Sequence, residues 1–192
     1  MMQGPAVTTV ILAGGQGTRM GGNKTLRLLR GRPLIDWVFA AVRPQSAEVL
    51  VSTNEHASAY THLGCAVVGD RLSGFAGPLA GLQAAMHCAS HDWVASVPCD
   101  TPFLPRDLIE RLFDAAGAGD AAVAVVQGRR QPAIALYRKT VLPRLDAYLE
   151  SGGRKAGAWL DTLQANAAVF ADAGAFININ TLQELEVFNT HD

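Results

Sequence analysis

The sequence has little charge and no excess of either sign. Its 192 residues include 16 Lys and Arg against 17 Asp and Glu, which gives a formal net charge of −1. Proteins that bind nucleic acid through its phosphates concentrate positive charge, so this balance argues against nucleic acid as a partner. Charged residues make up 17% and hydrophobic residues 49%, which excludes an intrinsically disordered chain because enough apolar surface is available for a core.

Long apolar runs and paired cysteines are also lacking. No apolar stretch reaches the roughly 18 to 20 residues that cross a bilayer, and the first residues do not have the pattern of a secretion signal, so we expect no membrane partner. The cysteines Cys65, Cys88 and Cys99 are odd in number and far apart, which fits a reducing compartment better than a disulfide framework. We therefore predict a soluble, cytoplasmic protein.

Segments typical of strands alternate with segments typical of helices. Because parallel strands need crossover connections that are usually helical, this order predicts an α/β fold: three-layer, Rossmann-like, with a mostly parallel mixed sheet flanked by helices. We expect one domain at this length. Strands are predicted at 7–13, 48–52, 66–69, 93–97, 121–126, 132–138 and 167–170, and helices from Pro33, Pro78 and Pro105, near 141–150 and 155–163, and around Leu182, Leu185 and Phe188.

Glycine is abundant directly after the first strand. Of 19 glycines, five fall within nine residues: Gly14, Gly15, Gly17, Gly21 and Gly22. The spacing misses a P-loop, since Asn23 separates Gly22 from Lys24, and it misses the dinucleotide fingerprint, since Met20 stands where the third glycine belongs. The loop still offers backbone N–H groups and two cations, Arg19 and Lys24, to a polyphosphate. A flexible glycine-rich turn is the alternative.

This loop and four other segments resemble the MobA family of molybdenum cofactor guanylyltransferases, within the nucleotidyltransferase superfamily. The opening loop alone indicates the superfamily, which also contains sugar-phosphate and cytidylyl transferases, whereas the segments around Asp100 and Asn178 narrow the resemblance to this family. The matching segments are LAGG with Arg19, Met20, Gly21 and Lys24, then GPLAG at 77–81, PCDTP at 98–102, QPAIAL at 131–136 and FININT at 176–181.

The resemblance implies an enzyme that transfers GMP from GTP to the phosphate of molybdopterin, giving the guanine dinucleotide cofactor and pyrophosphate. It implies Mg²⁺ as cofactor, GTP and molybdopterin as substrates, and proteins that deliver the cofactor or accept the product. It also implies a division of the single domain, with residues 1–110 binding the nucleotide and residues 111–192 binding the acceptor. We expect a monomer or a weak oligomer.

Three residues are expected to carry the chemistry. The resemblance implies that Asp100, after the strand 93–97, holds Mg²⁺ against the triphosphate; a turn cap is the alternative. Lys24 and Arg19 are expected to neutralise the triphosphate and to stabilise the charge of the transition state, with an ordinary surface ion pair as the alternative for Arg19.

The resemblance also implies a set of nucleotide-binding residues. At position 52 the family has an asparagine, so here either the Ser52 hydroxyl or Asn54 makes that contact. Asp70 contacts the ribose or base, or it caps a turn. The full predicted set is Leu12, Ala13, Gly14, Gly15, Lys24, Ser52, Asn54, Asp70 and Asp100.

The acceptor-binding candidates lie mainly in the second half of the chain. Asn178 and Asn180 alternate with Ile177 and Ile179, which predicts that the polar side chains face one way and the isoleucines the other. Helix capping by Asn180 or Thr181 is the alternative. The candidates are Gly77, Gly81, Arg154, Lys155, Asn178, Asn180 and Thr181, and for the Arg154–Lys155 step an ordinary helix start explains the residues equally well.

Two other functions stay open on the sequence alone. A CTP-dependent or sugar-phosphate nucleotidyltransferase would share the loop, since base choice depends on a few contacts that the sequence does not display. A non-catalytic nucleotide or cofactor carrier would keep the scaffold. Lys24 and Asp100 argue against a carrier, because a carrier does not need to stabilise transition-state charge.

Overall fold

The computed structural model describes residues 6–14, 24–71 and 77–190. The strands in these ranges are β1 (Val7–Leu12), β2 (Leu28–Leu29), β3 (Arg32–Pro33), β4 (Glu48–Ser52), β5 (Ala66–Val68), β6 (Trp93–Pro98), β7 (Ala121–Val126), β8 (Arg129–Arg138) and β9 (Asn166–Phe170). The helices are α1 (Leu34–Val42), α2 (Pro78–Cys88), α3 (Leu108–Ala116), α4 (Leu142–Glu150), α5 (Ala156–Thr162) and α6 (Leu182–Thr190). Over the described ranges, every helix is too short or too polar to cross a bilayer.

Seven strands form one mixed sheet in the order β5-β4-β1-β6-β8-β7-β9. β1 runs parallel to both neighbours, β4 and β6, while β5 is parallel to β4 and β9 is parallel to β7. β8 is antiparallel to β6 and to β7. The mostly parallel mixed sheet predicted from the alternating pattern is therefore confirmed.

Helices cover both faces of the sheet, which confirms the predicted three layers. All six residues of β1 are buried, because apolar side chains pack on each side of it. α1 and α3 contribute Ile35, Val38, Leu108 and Leu112 to the core on one face. α2, α4 and α5 contribute Leu82, Met86, Leu145 and Trp159 to the core on the other face.

Three element starts that were predicted at a proline are wrong by one to three residues. α1 begins at Leu34, because Pro33 has extended backbone (φ −53°, ψ 142°) and pairs with Leu28 in the β2–β3 hairpin. α3 begins at Leu108, after a turn in which Leu108 N–H donates to Pro105 O. β8 begins at Arg129, and Pro132 falls in an irregularity of its pairing with β7, where its missing N–H does not interrupt a ladder.

The topology brings several chain segments to one edge of the sheet. β1, β4, β5 and β6 are parallel, so their last residues meet there, and the antiparallel β8 starts there. We call this the carboxyl edge, and the opposite one the amino edge. Ligands of parallel sheets bind at the carboxyl edge, which is where the predicted site residues follow their strands.

Candidate functional site

The end of β1 is held between the ends of its two neighbours. Ala13 N–H donates to Ser52 O at 2.8 Å, and Cys99 N–H donates to Leu12 O at 3.2 Å. Leu12–Gly14 therefore lie between the end of β4 and the segment that carries Asp100. Gly14 is exposed, and among the described residues a Cβ there would meet no heavy atom within 4 Å, so on that side its backbone is open.

The glycine loop itself is described only in part. Gly15 and Arg19 lie outside the described residues, and their predicted roles stay predictions. Lys24 begins a 3-10 turn, Lys24–Leu26, of which the structure describes the backbone. The predicted role of its ammonium group also stays a prediction.

Asp100 is fixed by contacts with the C-terminal segment. Its carboxylate is half-buried, and the Oδ1 atom is inaccessible to solvent. Its backbone O accepts a hydrogen bond from Ile179 N–H at 2.9 Å. The adjacent Thr101, which is fully buried, donates its hydroxyl to Asn178 Oδ1 at 2.6 Å. These contacts bring a nucleotide candidate and an acceptor candidate, Asp100 and Asn178, to one place.

Asn54 and Asp70 hold each other through two hydrogen bonds. The amide Nδ2 of Asn54 donates to Asp70 Oδ2 at 2.7 Å, and Asp70 N–H donates to Asn54 Oδ1 at 2.7 Å. Both residues follow neighbouring strands, β4 and β5, and both side chains are at the surface. Asn54 thereby orients the Asp70 carboxylate at the carboxyl edge.

Ser52 and Gly81 pack against each other beneath this edge. Ser52 is 3% exposed, and Gly81 is buried in α2. A Cβ at Gly81 would lie 2.4 Å from Ser52 Oγ and 3.2 Å from Leu12 Cδ2. Glycine thus lets α2 approach the ends of β1 and β4, and it places Gly81 beside nucleotide candidates. Gly77, at φ +133°, directly precedes α2 in a conformation that favours glycine.

Arg154 and Lys155 lie in the connection between α4 and α5. Arg154 Nη1 donates to the backbone O atoms of Leu149 (2.8 Å) and Gly153 (2.6 Å), so the guanidinium closes the end of α4. Lys155 is exposed directly before α5. A Cβ at Gly157 would lie 3.9 Å from Pro132 Cγ, which puts this connection near the start of β8 at the carboxyl edge.

The two isoleucines of the segment before α6 differ in burial. Ile179 is fully buried, whereas Ile177 is 39% exposed. The reason is that only Ile179 reaches the small core formed with Leu29, Leu34 and Leu185. Asn178 and Asn180 are both exposed.

The capping alternative for Thr181 is confirmed. Its Oγ1 accepts from Glu184 N–H at 3.1 Å, and Glu184 Oε2 accepts from the N–H groups of Asn180 (2.6 Å) and Thr181 (3.0 Å). This reciprocal arrangement is a capping box at the start of α6.

A divalent cation at this edge would take only part of its ligands from the protein. In the described ranges, no three His, Cys, Asp or Glu side chains converge as a metal site. The half-buried carboxylate of Asp100 suits a hard cation that also binds phosphate oxygens, because Mg²⁺ is commonly held by one or two carboxylates and by its substrate. The donor chemistry therefore fits a metal carried between Asp100 and a nucleotide.

Sequence reasoning did not single out Thr101 and Thr25 as contributors to the site. Each lies one residue after a predicted catalytic residue, Asp100 or Lys24, and each is buried. Adjacency was the only signal in the sequence, because burial and hydrogen-bond partners follow from the tertiary fold.

Comparisons with known proteins agree over almost the entire chain. The model of a family described as MobA-like NTP transferase domain matches residues 9–167. A molybdenum cofactor guanylyltransferase of Cupriavidus pinatubonensis is 42% identical over 194 residues, covering 97% of this chain and 96% of that protein. Molybdopterin-guanine dinucleotide biosynthesis protein A of Archaeoglobus fulgidus has a TM-score of 0.75 at 24% identity, covering 95% of this chain and 96% of that one.

The same fold is found in a cytidylyl transferase. The structure of CMP:2-keto-3-deoxy-manno-octonic acid synthetase complexed with CTP has a TM-score of 0.77 at 18% identity, covering 96% of this chain and 97% of that one. At this level of identity the likeness concerns the fold alone.

Proposed function

Because the chain belongs to the MobA-like NTP transferase family, we propose that it transfers GMP from GTP to the terminal phosphate of molybdopterin, forming the guanine dinucleotide and pyrophosphate. The observation that carries the proposal is the junction at the carboxyl edge, where Thr101 and Asn178 join the segment of Asp100 to a C-terminal acceptor candidate. A transferase needs its two substrates adjacent, and this contact supports that arrangement.

The nucleotide lies along the ends of β1, β4 and β5 in this proposal. At the end of β1, beside Leu12 and Ala13, the open backbone at Gly14 faces the phosphates, together with Gly15, Arg19 and Lys24. Asp70, held by Asn54, accepts hydrogen bonds from the ribose hydroxyls or the base. The buried Ser52 supports the site by packing against Gly81, so the family's contact at position 52 passes to the Asn54–Asp70 pair.

Asp100 is the residue that would hold Mg²⁺. When bound, the ion would offset the negative charge of the phosphates and favour attack at the α-phosphorus. The remaining contribution comes from the chain itself. Asp100 keeps its carboxylate in place because Ile179 N–H binds its backbone O and Thr101 is fastened to Asn178.

The reaction is a direct displacement. An oxygen of the acceptor phosphate forms a bond to the α-phosphorus of GTP, and the bond to the leaving pyrophosphate breaks. Lys24, Arg19 and the backbone N–H groups of the glycine loop stabilise the charge on the phosphoryl oxygens, and the binding residues align the two substrates. No covalent enzyme intermediate is required.

The acceptor binds toward the C-terminal part of the single domain, about residues 111–192, while residues 1–110 take the nucleotide. Asn178 presents its amide beside Asp100, and Lys155 offers a cation on the same edge. Arg154 already binds two carbonyl groups at the end of α4, so its part is to shape the loop that carries Lys155. We place the protein in the cytoplasm, where its cysteines stay reduced, without nucleic acid or membrane partners.

The test is pyrophosphate release with matched substrates. The protein is incubated with Mg²⁺, each of the four nucleoside triphosphates and either molybdopterin or a set of sugar phosphates. We expect release only with GTP and molybdopterin. Release only with CTP would overturn the choice of guanine, which the fold shared with cytidylyl transferases makes the main alternative. No release with any pair would favour a carrier.

A further inference from the structure

A buried pair of hydroxyl groups lies directly after Lys24. The oxygens of Thr25 Oγ1 and Tyr60 OH are 2.7 Å apart, a hydrogen bond in which either group can be the donor. Thr25 is 3% exposed and Tyr60 is 0% exposed. Burial removes both hydroxyl groups from water, and the hydrogen bond between them compensates for the lost hydration.

The surroundings of Tyr60 are apolar. Its ring belongs to the core that contains Ile35 and Val51, and Leu26 packs against the same core. A phenylalanine would fill this volume equally well, so packing alone does not account for the phenolic hydroxyl. The hydroxyl adds a directional hydrogen bond to Thr25.

The Thr25–Tyr60 hydrogen bond joins two segments that carry candidate nucleotide-binding residues. Thr25 is the middle residue of the turn Lys24–Leu26. Tyr60 is in the 3-10 segment Ala57–Leu63, which connects β4 to β5 and so lies in the chain between Asn54 and Asp70. The bond therefore fixes the backbone next to Lys24 relative to the part of the chain that presents the Asn54–Asp70 pair.

We propose that Tyr60 is a positioning residue, which acts through Thr25 to hold Lys24 at the carboxyl edge. Tyr60 does not touch the substrate. The proposal rests on the proposed function, in which Lys24 binds the triphosphate. A cation whose backbone is already fixed loses less freedom on binding and meets the transition state in the correct place.

The first measurement is steady-state kinetics of the full chain with GTP, molybdopterin and Mg²⁺. Tyr60→Phe and Thr25→Val each delete one hydroxyl at nearly constant volume, and we expect kcat/KM to fall about tenfold or more, since a displacement of about 1 Å can cost about a hundredfold. Thr25→Ser keeps the hydroxyl and is expected to retain most of the activity.

A double-mutant cycle separates positioning from general destabilisation. Lys24→Ala removes the group on which Tyr60 is proposed to act. In that background, Tyr60→Phe should lower kcat/KM by less than about twofold, because residues that act as one unit are not additive. If Tyr60 were only structural, Tyr60→Phe would lower kcat/KM by the same factor with and without Lys24.

A second buried hydroxyl pair serves as the matched control. Thr9 Oγ1 and Ser46 Oγ are also 2.7 Å apart and buried, but Thr9 lies near the start of β1, away from the carboxyl edge. Thr9→Val makes the same chemical change as Thr25→Val. We expect a comparable fall in Tm for both variants, with kcat/KM lowered only by Thr25→Val.

The outcomes distinguish this proposal from the proposed function. Wild-type kinetics in Tyr60→Phe, equal effects of Thr9→Val and Thr25→Val, or full additivity with Lys24→Ala would each overturn the positioning role. The cycle is repeated for GTP affinity by calorimetry. If the wild type binds GTP but transfers no GMP, the proposed function is refuted, and the affinity cycle still tests the positioning role of Tyr60. If the wild type binds no GTP, both the proposed function and the positioning role are refuted.

Discussion

Asp100 is the residue on which the proposed metal-dependent chemistry depends most directly. Asp100→Asn keeps the size of the side chain and leaves the backbone contact with Ile179 intact, so the fold should be retained. The amide is a weaker ligand for a hard cation than the carboxylate, and we expect kcat to fall by about a hundredfold or more. Pyrophosphate release and a thermal melt measured together check this.

Asp107→Asn is a suitable control for that substitution. Its carboxylate is on the surface before α3, 3.6 Å from Arg111, and it belongs to no part of the site. It should leave both turnover and melting nearly unchanged. Asp100→Asn with wild-type turnover would remove the metal assignment.

Asn54 illustrates a residue whose place at the carboxyl edge is predictable but whose hydrogen-bond partner is not. The sequence leaves open whether Ser52 or Asn54 contacts the nucleotide, and the structure shows Asn54 engaged with Asp70 through both atoms of its amide. Strand order places the two residues side by side, but the pairing of their side chains depends on the register of β4 and β5. That register cannot be read from a single sequence.

The Asn54 pair predicts an effect on nucleotide affinity more than on turnover. Asn54→Ala frees the Asp70 carboxylate, and we expect the KM for GTP to rise severalfold while kcat changes little, because the contact is made equally in ground and transition states. Asp70→Ala in the Asn54→Ala background should add less than it does alone. Asn189→Ala is the control, since this amide also bonds with both atoms, to Arg30 N–H and Leu28 O, but supports α6. An equal rise in KM for the control would contradict the assignment.

α2 owes its position at the site to one glycine. A Cβ at Gly81 would lie 2.4 Å from Ser52 Oγ, whereas at the helical Gly157 of α5 the nearest atom would be 3.9 Å away. Helical Gly→Ala substitutions gain about 1 kcal/mol when space allows. Gly157→Ala should therefore raise Tm, while Gly81→Ala should lower it and reduce kcat/KM, because α2 must move away from Leu12 and Ser52.

The clash at Gly81 can be tested by removing its partner. Ser52→Gly in the Gly81→Ala background deletes two of the three nearest atoms, Ser52 Oγ and Cβ, and should recover part of the lost Tm. No recovery, or a stabilising effect of Gly81→Ala alone, would show that the helix does not require this close approach.

Strands and helices could be predicted where the local pattern decided them. β4 and β7 have the predicted bounds, and all seven strands of the main sheet were expected, because buried β-branched runs and helical apolar faces repeat along the chain. The errors occur where tertiary contacts override the pattern. Pro33, for example, pairs with Leu28 in the β2–β3 hairpin, so α1 begins one residue later than predicted.

Across the entire molecule, the edge at which the candidate site residues gather follows from topology alone, since parallel strands end together. The contacts at the amino edge that hold these strands together could not be predicted. The Glu48 carboxylate joins the amino ends of β1 and β4 to the segment that leads into β6. Its Oε2 accepts from Thr8 Oγ1 (2.7 Å) and Ser90 N–H (2.9 Å), and its Oε1 accepts from Ser90 Oγ (3.0 Å). These three strands carry Leu12–Gly14, Ser52 and Asp100 at their other ends.

The hydrogen bonds of Glu48 predict that the stability of the protein depends on pH, whereas the KM for GTP should not depend on Glu48. Burial alone would raise the pKa of Glu48, but hydrogen bonds from Ser90 N–H, the Thr8 hydroxyl and the Ser90 hydroxyl, with His91 nearby, outweigh it and lower the pKa below the ordinary 4.5. A carboxylate with a depressed pKa contributes stability above the unfolded-state value, and loses it as pH falls through the folded-state value. The contribution should therefore be complete at pH 7 and decline below about 4.5.

Glu48→Gln tests this by urea unfolding at a series of pH values. At pH 7 the variant should lose about 1.5–3 kcal/mol, the scale of hydrogen bonds to a charged group. The difference from wild type should shrink below pH 4.5 as the wild-type carboxylate protonates. The KM for GTP at pH 7 should change little because the proposed nucleotide site is at the other edge. Glu55→Gln, at a carboxylate whose side chain is 84% exposed, makes the same change in charge outside the network. A stability difference that stays constant from pH 7 to pH 3, or one that Glu55→Gln reproduces, would mean that the three strands are not held through the ionised Glu48.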